Sequence, residues 1–336
     1  MNAIVSRRAL LTAAAAFAAA SPARASAMDD LLAYVQAQRT TGFLVIRDGR
    51  TVVEKNWPLP AEAGEFRTSY SYETTPEGAL LEDVASQQKS FVAVLCAIGE
   101  DKGLLDVAKP VSDYLGVGWS KASAEQEQAI RVIHLLTMSS GLDTAFGYAG
   151  PAGSTFLYNT PVYAALKRVL AAAAKTPLET LTAEWLTKPA GMAHTAWRQR
   201  PGAFAGVGNP TGLVTSPRDT ARMGQLVLDG GRGVDGRRVV SEAGVRAMFA
   251  RSAANPAYGR LWWLNGGAWA IRAQAARRDG PLIPAAPADT VAALGAMDRK
   301  LYVVPSRRLV VVRMGQAAPD RDFDQQLWLR LAPALG

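Results

Sequence analysis

Residues 84–91 read Val84-Ala85-Ser86-Gln87-Gln88-Lys89-Ser90-Phe91. A serine and a lysine stand three positions apart at the head of an apolar run. On a helix that spacing puts both side chains on one face, one turn apart. The stretch alone leaves two readings open. Either Ser86 caps an ordinary helix and Lys89 points to solvent, or the pair is a nucleophile with its base. A serine hydroxyl is a weak nucleophile and needs a base. A lysine can serve when burial or a neighbouring cation brings its pKa down toward neutrality. A helix start also favours negative charge on the serine oxygen and on an oxyanion at its backbone N–H.

The rest of the chain narrows the choice of base. There are two histidines. His134 falls in the apolar stretch Ile130–Met138 and His194 in GMAHTAW. Neither has a histidine four residues on, and there is no HExxH or Cys/His cluster, so no zinc site is expected. No G-x-S-x-G elbow and no Walker sequence occur. Gly231-Arg232-Gly233-Val234-Asp235-Gly236 matches G-x-G-x-x-G but follows a helical pattern instead of a strand, so it is expected to be a loop. No metal or organic cofactor is implied. Cys96 is the only cysteine; it rules out an internal disulfide and reads as a small buried hydrophobe.

The 336 residues are 49% hydrophobic and 20% charged, a globular composition long enough for a full core. Residues 1–27 carry Arg7-Arg8, an Ala-rich apolar segment and Ala25-Ser26-Ala27, the pattern of a cleaved leader of twin-arginine type. Its apolar run is too short to span a bilayer. Export to the periplasm is therefore expected, with no stable membrane anchor after cleavage. Removing the leader takes the formal charge from +8 to +5, with 34 basic and 29 acidic residues left. That excess forms no dense basic run, so no nucleic-acid partner is expected.

Strand patterns lie at both ends of the mature chain. Gly42–Trp57 reads as two strands around Asp48-Gly49, a hairpin turn signal. Gly259–Leu264, Lys300–Val304 and Leu309–Met314 read as strands near the other end, and a helix runs from about Phe323 to Leu331. Between them the patterns are helical. Ser86–Lys102 stops before Gly103, and Ile130–Met138 follows. Pro161–Lys175 opens on a proline, with Thr160 as its cap. Ser216-Pro217-Arg218-Asp219 and Ser241-Glu242 start two more helices. The expected fold is α+β. A mostly antiparallel sheet drawn from both chain ends (28–85 and about 251–336) is flanked by helices, with an inserted all-helical region over about 86–250. Residues 28–336 are expected to form one domain.

The chain resembles the serine β-lactamase-like family, in the branch of class C β-lactamases, esterases and 6-aminohexanoate-oligomer hydrolases. The resemblance runs in order through GFLVIRDGRTVVE, DVASQQKSF, GLLDVAKPVSDYL (Gly103–Leu115) and IRVIHLLTMSSGLD (Ile130–Asp143). It continues through STFLYNTPVYAAL (Ser154–Leu166), KPAGMAHTAW (Lys188–Trp197), GLVTSPRDTARMG (Gly212–Gly224), YGRLWWLN (Tyr258–Asn265) and LYVVPSRRLVVVRMG (Leu301–Gly315). The resemblance implies that Ser86 is the acylated nucleophile, Lys89 its base, and Tyr158 a proton relay or general base; otherwise Tyr158 is a core aromatic. Thr160 replaces the family's usual asparagine, and its hydroxyl either caps a helix or bonds Lys89 or substrate. The family's Lys-Thr-Gly strand is matched by Ala293-Leu294-Gly295. Gly295 would let substrate approach the strand, and the Ala296 N–H would complete an oxyanion hole with that of Ser86. The lysine of that motif is missing. Arg299 is either a contact for an anionic substrate group or a solvated strand-end charge.

The resulting expectation is an exported serine hydrolase that cleaves a small carboxylic ester or amide through an acyl-enzyme. The alternatives are a non-catalytic ligand- or cell-wall-binding protein on the same fold, or a DD-peptidase or β-lactamase.

Overall fold

A computed structural model describes residues 22–202 and 206–336. The segment that decides the architecture is the first hairpin. Strands β1 (Thr40–Arg47) and β2 (Arg50–Asn56) pair antiparallel, and Asp48 and Gly49 both take positive φ, 51° and 73°. A two-residue turn with that geometry matches the right-handed twist of the strands it joins. β1 is buried along most of its length, while β2 exposes charged residues along the sheet edge.

Two short strands follow, β3 (Ser71–Thr74) and β4 (Leu80–Asp83), and β4 leads directly into Val84-Ala85-Ser86. The helical part then contains β5 (Ala196–Gln199) and β6 (Thr211–Thr215). The C-terminal part supplies β7 (Trp263–Leu264), β8 (Trp269–Ile271), β9 (Arg277–Asp279), β10 (Val291–Gly295), β11 (Arg299–Val304) and β12 (Leu309–Gly315). The main sheet has the order β2-β1-β12-β11-β10-β7, so the two chain ends do pair, with Leu44 opposite Val312.

Among the described residues, five helices of twelve residues or more frame the sheets: α1 (Pro22–Ala37), α2 (Gln88–Asp101), α3 (Thr160–Ala174), α4 (Pro217–Leu228) and α5 (Phe323–Leu335). Helix α5 packs on the main sheet through Trp328, whose ring meets Tyr302 of β11 edge-on at 5.4 Å, and α1 packs against α5. Helix α4 packs against β11 and β12. It starts as expected, with the Ser216 hydroxyl accepting from the Asp219 N–H at 3.1 Å. With helices over its strands, β12 is buried throughout, and its run Leu309–Val312 is continuously apolar.

The α+β class stands, with one correction. The middle of the chain is not all helical, because β5 and β6 join β3 and β4 in a second sheet of order β3-β4-β6-β5. Three local expectations also shift. The helix expected over Ile130–Met138 is confined to Val132–Leu136. The strand expected over Gly259–Leu264 shrinks to Trp263–Leu264, because Leu261 sits at φ 58° and a strand cannot pass through that conformation. Asn159, not Thr160, caps α3, with its side-chain oxygen accepting from the Val162 N–H at 3.1 Å. Gly231–Gly236 is a loop, bracketed by a bridge between Arg232 and Arg238. Cys96 is buried.

Residues 1–21 lie outside the described residues. Ala25–Ala27, the expected end of the leader, lies in α1. Among the described residues no helix is long and apolar enough to cross a membrane.

Candidate active site

The site is built where β4 runs into α2. Ala85 takes φ 48°, which costs a residue with a side chain, and local bonds hold it there. Its N–H donates to Asp83 Oδ1 at 2.7 Å, and its carbonyl accepts from Gln88 Nε2 at 2.9 Å. Asp83 is itself gripped by Arg200 at 2.7 and 2.9 Å, with both side chains buried. This clamp places Ser86 in a short 3-10 turn, Ala85–Gln87, just before α2.

Lys89 follows one turn later and does not reach solvent. It is 2% exposed. Its Nζ donates to Ser86 Oγ at 2.9 Å and to Thr160 Oγ1 at 3.2 Å. The ammonium lies 4.8 Å from the Tyr158 ring centre and 4.7 Å from that of Tyr163. No carboxylate pairs with it among the described residues. Burial, helped by the charge of Arg200, brings its pKa down to about 7 from the ordinary 10.5. Lys89 is therefore partly a free amine at neutral pH.

Tyr158 immediately precedes Asn159, whose amide anchors the start of α3 to the carbonyls of Leu142 and Asp143 at 3.0 and 2.9 Å. Its ring stacks on Trp263 at 5.6 Å. Burial pushes the phenol up to about 12, against the effect of a hydrogen bond shared with Ser86. Between about pH 7 and 12 the phenol thus stays protonated while Lys89 is neutral. The Thr160 hydroxyl is a partner of Lys89 and not a helix cap.

Gly295 ends β10 against the Ser86 turn. A Cβ there would lie 2.4 Å from the Val84 carbonyl oxygen and 3.3 Å from the Gln87 nitrogen. The missing side chain therefore admits the Ser86 turn itself, in addition to opening the cleft. Gly295→Ala must push that backbone away and is expected to destabilise the fold by about 1–3 kcal/mol. The urea midpoint checks this, and an unchanged midpoint would contradict the close approach.

Ala296 follows on the loop to β11, where Met297 and Asp298 take φ 59° and 55°. Two buried arginines hold the carbonyls of this loop. Arg299 Nη1 donates to Ala296 O at 2.9 Å, and Arg313 Nη1 donates to Met297 O at 2.9 Å and to Asp298 O at 3.2 Å. This corrects both readings of Arg299. It is 0% exposed, faces Glu82 at 3.4 Å and lies over the Tyr70 ring at 4.4 Å. It neither meets solvent nor lines the cleft.

Ser86, Tyr158, Thr160, Gly295 and Ala296 all line one open cleft of about 870 Å³. His134 and His194 are not among its lining residues. Among the described residues no group of histidines, cysteines and carboxylates could hold a metal ion.

Residues 12–335 match the beta-lactamase family. The chain belongs to the beta-lactamase family. Solved structures share this beta-lactamase fold at low identity. A Bacillus anthracis protein provisionally named a 6-aminohexanoate-dimer hydrolase aligns over 95% of this chain and 84% of its own, at 18% identity and a TM-score of 0.66. EstCE1, a hydrolase with promiscuous acyltransferase activity, aligns over 94% and 99%, at 15% identity and a TM-score of 0.64. A beta-lactamase from Mycobacterium bovis aligns over 90% and 96%, at 14% identity and a TM-score of 0.62. No curated protein matches the chain. As a member of the beta-lactamase family the protein is a serine hydrolase.

Four residues around this beta-lactamase-family site stand in no sequence motif that points to them. Asp83 carried a usable signal, since an Asp whose side chain accepts from the N–H two residues on forms an Asx-turn. Arg200 lies in a polar stretch with no motif. Lys300 and Arg272 line the cleft. Lys300 was hidden in a strand pattern and Arg272 in a segment of no recognisable type.

Proposed function

We propose that the protein hydrolyses a carboxylic ester or amide through an acyl-enzyme on Ser86. The observation that carries this reading is the 2.9 Å bond between Ser86 Oγ and a buried Lys89 with a near-neutral pKa. In its neutral form Lys89 takes the Ser86 proton as Oγ attacks the carbonyl carbon. The N–H groups of Ser86 and Ala296 hold the resulting oxyanion. Tyr158 passes its proton to the leaving oxygen or nitrogen as the bond to it breaks, and the proton that Lys89 took from Ser86 moves on to the Tyr158 oxygen, which restores the pair. A water then attacks the acyl carbon, giving up its proton to the same Lys89–Tyr158 pair. The pair returns that proton to Ser86 Oγ as the bond between Oγ and the acyl carbon breaks, and the acid is released. Residues 1–27 are proposed to direct export to the periplasm before this chemistry is needed.

The test is turnover of p-nitrophenyl butyrate by the wild type and by Ser86→Ala. The wild type is expected to release p-nitrophenol well above the buffer rate and the variant at the buffer rate. Equal rates for the two proteins would rule the reading out.

A further inference from the structure

One end of the cleft has no part in the chemistry above. It carries Arg272 and Lys300, the only charged side chains among the described lining residues, and both are cations. Their counter-charges stand behind them. Lys300 Nζ lies 2.9 Å from Asp324 and 3.1 Å from Asp298, and Arg272 Nη1 lies 3.4 Å from Asp324. Neither acid lines the cleft. Asp324 is tied into the core by the Tyr302 hydroxyl, which donates to it at 2.5 Å. Burial alone would raise the Asp324 carboxyl, but Lys300, Tyr302 and Arg272 outweigh it and hold the group at about 2. Asp324 therefore stays charged, its ion pairs fix both cations in place, and the cleft faces the cationic side of the cluster. Cations at a cleft wall focus potential into the enclosed space.

Arg272 is the accessible member. Its side chain is 48% exposed. Nη2 donates to the Leu282 carbonyl at 2.8 Å, which orients the guanidinium. That bond and the contact with Asp324 occupy two of its five N–H groups. The rest can meet a ligand, and the planar fork matches a carboxylate. Phe146, Val207, Trp263 and Leu294 give the cleft apolar wall.

We propose that this end of the cleft binds a carboxylate carried by the substrate, with Arg272 as its contact and Lys300 as the buried charge behind it. The proposal rests on Ser86 acylation. It assigns the substrate to esters or amides that bear an anionic group beside an apolar chain.

The experiment compares p-nitrophenyl hydrogen glutarate, with its carboxylate on the acyl side, 4-acetoxybenzoate, with its carboxylate on the leaving group, and neutral p-nitrophenyl butyrate. At least one anionic ester is expected to exceed the neutral one in kcat/KM by roughly tenfold, as suits a charge-assisted contact. The favoured arm shows on which side of the scissile bond the carboxylate sits. Arg272→Gln is expected to lower that ratio by about tenfold, Arg272→Lys to lower it less, and added salt to shrink it. A ratio at or below one for both anionic esters, or a ratio that Arg272→Gln leaves unchanged, overturns the proposal. Glutarate titrated against the Ser86→Ala protein reads the subsite without turnover. Binding that Arg272→Gln weakens by about tenfold supports it, and no binding overturns it. Loss of all turnover with binding retained would count against the acyl-enzyme alone.

Discussion

Lys89→Met is expected to lower kcat/KM for p-nitrophenyl butyrate by about 10²- to 10⁴-fold, the usual worth of a positioned general base. Methionine keeps a long apolar side chain between Tyr158 and Tyr163 but cannot accept the Ser86 proton. The wild-type profile should rise with pH through about 7, where Lys89 loses its proton, and then stay level, since Tyr158 titrates near 12. Stability has a matching sign. The native Lys89 pKa lies below the ordinary value of 10.5. Between about pH 7 and 10.5 the unfolded chain therefore binds a proton that the native state does not. This group's penalty is fully present below pH 7 and is relieved as the pH rises through that window. Lys89→Met should remove that share of the slope. Lys167, another buried lysine, is brought down to about 6 chiefly by burial and keeps its own contribution. A variant with full activity, or a wild-type profile flat through pH 7, would show that Lys89 is not the base.

Arg200→Met is expected to cost about 3–5 kcal/mol, because it leaves Asp83 charged and buried without its partner. The urea midpoint measures this. Asp83 also holds the Ala85 N–H at the strained residue before Ser86, so activity should fall along with stability. Arg200 further acts on Lys89 through its charge, which helps lower the lysine's pKa. In any folded Arg200→Met protein the rising limb of the pH profile should therefore move to higher pH. A double variant Asp83→Leu/Arg200→Met removes both charges and should recover much of the lost stability. If the single variant lost no stability and kept its pH limb, Arg200 would be neither clamp nor charge source.

These two residues show how unevenly the site could be seen in the chain. Lys89 was legible because it sits one helical turn from Ser86, so sequence spacing and spatial neighbourhood coincide. Tyr158 came only with the resemblance to a family. Arg200 and Arg299 were not legible, since each is defined by a partner brought to it through the tertiary fold. Arg299 sits at a strand start, where exposure is the ordinary outcome, and it is buried because Glu82, Tyr70 and the Ala296 carbonyl meet there. The same contrast holds for the fold. Asp48-Gly49 and Ser216-Pro217 announce their turn and helix locally. β5 and β6 have four and five residues, too few for a period-2 pattern to stand out from a helical stretch. The cap of α3 was misplaced by one residue, because Asn159 and Thr160 are both good cap residues and only the geometry tells them apart.

On the proposed mechanism Ser86 is the residue that becomes acylated. Intact-mass and peptide mass spectrometry after treatment with a fluorophosphonate tests it directly. One adduct is predicted, on the peptide that holds Ser86, absent from Ser86→Ala and formed faster as the pH rises through about 7. An adduct on another residue, or labelling that persists in Ser86→Ala, would contradict the account.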